Sequence, residues 1–131
     1  IDVAKSNDID QILIAPPNAT EETLEAIGQL SSGYTYLLGR AGVTGAETAA
    51  ETPASELIEN LTKHKVAPPL LGFGISTPAQ VTDAIQSGAA GAISGSATVN
   101  IIAKHLDNTP AMLKELGEFV KSMKAGTSKA S

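Results

Sequence analysis

Cysteine and tryptophan are absent from these 131 residues, arginine occurs once, at Arg40, and Tyr, Phe and Met occur twice each. Without cysteine there is no disulfide, no thiolate metal ligand and no Cys nucleophile, which fits a reducing compartment such as the cytoplasm. A formal net charge of −5 with one arginine leaves no basic stripe, so nucleic acid is not an expected partner. No apolar run approaches the ~18 residues of a membrane-spanning helix and no signal peptide is visible, so no membrane role is expected. Also missing is any pair of carboxylates on strand ends for acid/base work. The chain starts at Ile1, and Asp2–Asn7 reads as the tail of a helix, so the N-terminus reads as a cut end.

What is present alternates. Ile12-Leu13-Ile14 is a short apolar run stopped by Pro16-Pro17, as expected of a strand buried on both faces. Asn18 then caps a helix, with Glu21 at the capping-box position, Glu22 in the first turn and Leu24, Ile27 and Leu30 inward. Tyr34–Leu38 is a second strand. Arg40 to Glu51 is a loop of small residues, long for a βα connection and suited to a lid. Thr52-Pro53 opens a helix carrying Leu57, Ile58 and Leu61, and Leu70-Leu71 starts the third strand. Thr77-Pro78-Ala79-Gln80 is a full capping box with Pro at its first helical position. Ala92-Ile93 is the fourth strand. Ser96 caps a short helix with Val99 and Ile102 inward, and Thr109-Pro110 opens a last one with Met112, Leu113, Leu116, Phe119, Val120 and Met123 on its apolar side. Residues 127–131 form a polar tail expected to fray. Four βα units without hairpin dipeptides predict a parallel sheet with right-handed crossovers.

Two strands end in glycine and run straight into helix starts, at Gly72-Phe73-Gly74 and at Ser94-Gly95-Ser96. A strand stopping at glycine lets backbone N–H groups approach a ligand, and a helix beginning there adds unpaired donors. Taken singly, Gly74, Gly95 and Ser96 are ordinary turn and cap chemistry. On successive βα corners they describe the phosphate site after the last two strands of a (β/α)8 barrel, a fold of about 250 residues of which this chain is roughly half. The G-x-G is no dinucleotide fingerprint, because its third glycine position holds Thr77. The Gly39–Gly45 loop lacks the Lys-Ser/Thr of a P-loop. Tyr36 lies near a strand's C-terminal end, where barrel enzymes place their sites, and His64 and His105 sit in last helical turns, where a cation suits the dipole.

The blocks Gly33–Leu38, Arg40–Glu47, Pro68–Ser76 and Gly88–Ser96 closely resemble the tryptophan synthase α chain, from its fifth strand to its C-terminus. The resemblance implies residues 1–131 as one segment, the C-terminal (β/α)4 half of a TIM barrel. The implied enzyme cleaves indole-3-glycerol phosphate to indole and glyceraldehyde 3-phosphate, beside a β chain that carries pyridoxal phosphate. It places the substrate phosphate at Gly45, Gly74, Gly95 and Ser96, Phe73 and Tyr36 in the pocket, and Arg40 and Thr44 on the lid. It puts the catalytic Glu and Asp outside these residues, no metal or cofactor in this chain, and so an inactive segment when alone. The missing half, or a second copy, is then the expected cover for two raw sheet edges. Another phosphate-binding barrel enzyme, such as a sugar-phosphate isomerase, shares the glycine-ended strands, and the Tyr34–Glu47 block disfavours it.

Overall fold

The computed structural model describes residues 1–39, 54–64 and 66–128. In chain order they form α1 (Asp2–Lys5), β1 (Leu13–Ala15), α2 (Glu21–Leu30), β2 (Thr35–Leu38), α3 (Ala54–Lys63), β3 (Pro69–Gly72), α4 (Pro78–Gln86), β4 (Gly91–Ile93), α5 (Ser96–Lys104) and α6 (Thr109–Ala125). The four strands make one parallel sheet in the order β1-β2-β3-β4. Each strand is separated from the next by a helix, the connection that parallel neighbours require.

Register sets the two faces. Ala15, Leu37, Leu71 and Ala92 lie side by side across the four strands, and Ile14, Tyr36, Leu70 and Gly91 form the adjacent row on the opposite face. The first row is covered. Ala15, Leu37 and Leu71 are fully buried against Leu24 and Ile27 of α2, Leu57, Ile58 and Leu61 of α3, and Ala84 of α4. A side chain the size of leucine in such a core contributes about 1.5–3 kcal/mol. The second row has no such cover among the described residues: Ile14 is 57% exposed, and Tyr36 and Leu70 are half-buried. A smaller cluster of Ile75, Val81 and Met123 joins α6 to α4.

Local details depart from the expectations in several places. Leu30, at the last position of α2, is exposed, and β1 is buried on one face only, with Ile14 on the open one. The cap of α2 is Thr20, not Asn18, because a turn from the Ala19 N–H to the Pro16 carbonyl comes first, and the Thr20 hydroxyl then accepts from the Thr23 N–H. The residue capping α5 by position is Gly95, Ser96 being the first helical residue, and no side chain closes that end. Val99 and Ile102 are exposed, whereas Ala97 and Ile101 are half-buried and His105, at the end of α5, bonds Glu115 of α6. Apolar residues at 99, 101 and 102 leave that choice to the packing partner. Along α6, Met112, Leu116, Phe119 and Met123 face inward while Leu113 and Val120 are exposed. The Arg40–Glu51 loop and the Thr52-Pro53 helix start lie outside the described residues. Thr127 and Ser128 still turn back onto the carbonyls of Lys124 and Ala125.

Candidate functional site

The β3–α4 corner follows Gly72, whose Cα is roofed by the Tyr36 phenol so closely that a Cβ there would strike it. Phe73 and Gly74 then both take left-handed backbone, with φ of 91° and 73°. Glycine adopts this freely, whereas for phenylalanine it costs roughly 1–2 kcal/mol, strain of the kind that collects at functional sites. Beyond the turn, α4 closes its own end. The Thr77 hydroxyl accepts from the Gln80 N–H at 3.3 Å, and Gln80 Oε1 accepts from the N–H groups of Ser76 at 2.8 Å and Thr77 at 3.0 Å. Most donors of this helix start are therefore spent, and what the corner can still offer is the turn itself, at Gly74.

The β4–α5 corner is the opposite case. Gly95 has φ −99°, a value open to any residue, and a Cβ on it would meet no described atom within 4 Å. No side chain caps α5, and the N–H groups of Gly95, Ser96 and Ala97 have no acceptor among the described residues. Neither α4 nor α5 carries an acid in its first turn, whereas α2 has Glu21 and Glu22 there. The open, positive end of α5 thus favours an anion.

Both corners face one cavity of ≈ 460 Å³. Tyr36, Phe73, Gly74 and Ser76 line it from the β2 and β3 side, and Gly95, Ser96 and Asn100 from α5. Five of the residues singled out in the sequence, Tyr36, Phe73, Gly74, Gly95 and Ser96, thereby meet at the C-terminal ends of parallel strands. Arg40, Thr44 and Gly45 lie outside the described residues. No Asp, Glu or His is among the lining residues, and the described residues contain no group of carboxylates, histidines or cysteines able to hold a metal. His64 lies 3.9 Å from Glu21. At the far end of α5, His105 and Lys104 both donate to Glu115 of α6, and the His105 bond, then the Lys104 bond, hold that carboxyl below its ordinary 4.5.

The family described as "Tryptophan synthase alpha chain" matches residues 1–128. The chain belongs to that family. The Photobacterium profundum tryptophan synthase alpha chain is 60% identical over 124 residues, covering 95% of this chain and 46% of the relative. That of Francisella tularensis is 57% identical over 126 residues, covering 96% and 47%. The chain therefore spans about half the length of the curated relatives it matches. Among solved structures, the α2β2 tryptophan synthase complex of Pyrococcus furiosus superposes with a TM-score of 0.74 at 27% identity, covering 95% of this chain and 49% of that one. The fold is thus half of a TIM barrel of this family, built from four parallel βα units. No helix among the described residues is long and apolar enough to cross a membrane.

Sequence reasoning missed Asn100, one helical turn beyond Ser96 and facing the same cavity. An asparagine in mid-helix carries no local signature, and only the distance of one turn from the capless end could have drawn attention to it.

Proposed function

We propose that this chain is the phosphate-gripping, lid-bearing half of a tryptophan synthase α subunit, the lyase that cleaves indole-3-glycerol phosphate to indole and glyceraldehyde 3-phosphate. The observation that carries the reading is that Gly74, Gly95 and Ser96, whose N–H groups have no acceptor among the described residues, line one cavity at the ends of neighbouring parallel strands. Gly95 adds to it, since neither its backbone angle nor any described neighbour requires a glycine there, and close approach of a ligand does. Tyr36 and Phe73 supply the apolar wall for an indole ring, Gly45 adds to the phosphate site, and Arg40 and Thr44 belong to the lid.

Binding is not cleavage. The retro-aldol step needs a proton delivered to the indole ring and another taken from a glycerol hydroxyl, transfers worth roughly 10²–10⁴-fold each. The described cavity wall holds no Asp, Glu or His for either, which supports assigning the activity to a complete barrel and expecting the segment alone to be inactive. The half-exposed row of Ile14, Tyr36 and Leu70 and the edges β1 and β4 call for the other half-barrel, or a second copy of this one. A β chain carrying pyridoxal phosphate is the further partner, in line with the Pyrococcus furiosus complex.

The test is binding of indolepropanol phosphate to a full-length α chain carrying these residues. Competition by inorganic phosphate is expected, together with lyase activity that the 131-residue chain lacks. Binding indifferent to phosphate, or cleavage by the segment alone, would contradict the proposal. Sedimentation of the isolated segment should show association; a compact monomer would remove the raw-edge part of the reading.

A further inference from the structure

Ser94 lies between β4 and the Gly95 corner, half-buried and off the cavity wall. Its hydroxyl donates to the Ile75 carbonyl at 2.7 Å, across 19 residues of sequence. That carbonyl shares a trans peptide with the Ser76 N–H, which donates to Gln80 Oε1 at 2.8 Å. The 75–76 peptide plane is thereby held at both edges, directly after the left-handed Gly74. On its other side, the Ser94 carbonyl accepts from the Thr98 hydroxyl at 3.1 Å, in the first turn of α5. A line of hydrogen bonds therefore runs from Gln80 of α4, through the 75–76 peptide and Ser94, to Thr98 of α5.

We propose that Ser94 is a positioning residue that fixes the Gly74 corner relative to the Gly95 corner, so that donors from both reach one phosphate at once. The inference rests on the phosphate reading above. Two corners on separate loops would otherwise each have to be ordered by the ligand, and preorganisation removes that cost. The strand ladder ends at Gly72 and Ile93, so it cannot do this work past the sheet. Ser94 touches neither reacting atoms nor, by the lining of the cavity, the ligand. Its removal therefore affects binding uniformly in ground and transition states, raising KM and leaving kcat alone.

The experiment compares Ser94→Ala and Ser94→Thr in a full-length α chain carrying this segment, with inorganic phosphate and indole as separate binding probes. For Ser94→Ala, the Kd for phosphate and the KM should rise about 5–10-fold, the scale of one lost buried hydrogen bond. The kcat and the indole Kd should stay within about twofold. Ser94→Thr, which keeps the donor, should restore phosphate binding. Equal weakening of both probes in Ser94→Ala would assign a merely structural role and overturn the inference, as would unchanged phosphate binding. Failure of the unsubstituted chain to bind phosphate would instead overturn the phosphate reading and the inference with it.

Discussion

The two βα corners around the cavity solve the same local problem in opposite ways. At β3–α4 the chain is crowded and self-sufficient: Gly72 sits under Tyr36, two residues are left-handed, and a capping box consumes the helix donors. At β4–α5 the chain is relaxed and open: an ordinary φ, no described atom within 4 Å of a Cβ at Gly95, and a helix without a side-chain cap. One corner is shaped by the protein's own contacts and the other is left with donors to give. A glycine-ended strand followed by a helix thus does not by itself make an anion site, because a competent cap satisfies the same N–H groups first.

Substitutions in a full-length α chain can break this contrast. Gly95→Asp should have the largest effect, since it puts a carboxylate into open space beside the phosphate. Like-charge juxtaposition of several kcal/mol predicts a loss of about 10²–10³-fold in phosphate affinity. Melting should move little, within about 0.5 kcal/mol, because a Cβ at this position meets no described atom within 4 Å. Gly72→Ala should do the reverse, costing about 1–3 kcal/mol in denaturant titrations as the Cβ displaces the Tyr36 ring. The KM should rise only in consequence, through the displaced pocket wall. Thr77→Ala sharpens the difference further, with about 1 kcal/mol of stability lost from the capped helix and phosphate affinity held within about twofold.

The smallest effect belongs to neither corner. Glu115, hydrogen-bonded by His105 and Lys104 of α5, titrates below its ordinary 4.5, so its contribution is complete above that value and is lost as pH falls through the lowered one. Thermal melting from about pH 7 to about pH 3 should show the unsubstituted chain above Glu115→Gln at neutral pH and the two converging in acid. A constant gap would mean that the carboxylate's charge plays no part.

Much of this was legible because its causes are local. Apolar runs cut by Pro16-Pro17, Pro68-Pro69 and glycines announce four strands, and the Thr77–Gln80 box closes within three residues, so its partners are visible in the sequence. What failed depends on choices among equals or on distance. Asn18 and Thr20 can each cap, and only the Pro16–Ala19 turn decides between them. Val99 and Ile102 share one side of α5 and Ile101 lies on another, so the sequence offers two apolar sides, and it is Ile101 that is half-buried. The capping box was readable, but its consequence, a helix end with few donors left for a ligand, emerges only beside the open end of α5. The Ser94–Ile75 bond requires the register of β3 against β4, which no stretch of sequence displays.

The most direct test follows the backbone amides themselves, by titrating inorganic phosphate into a 15N-labelled full-length α chain carrying this segment. The Gly74, Gly95 and Ser96 amide resonances should shift together and saturate with a single Kd. A Gly74 amide that stays still while Gly95 and Ser96 move would contradict a joint grip, and three unmoved amides would remove the phosphate site altogether.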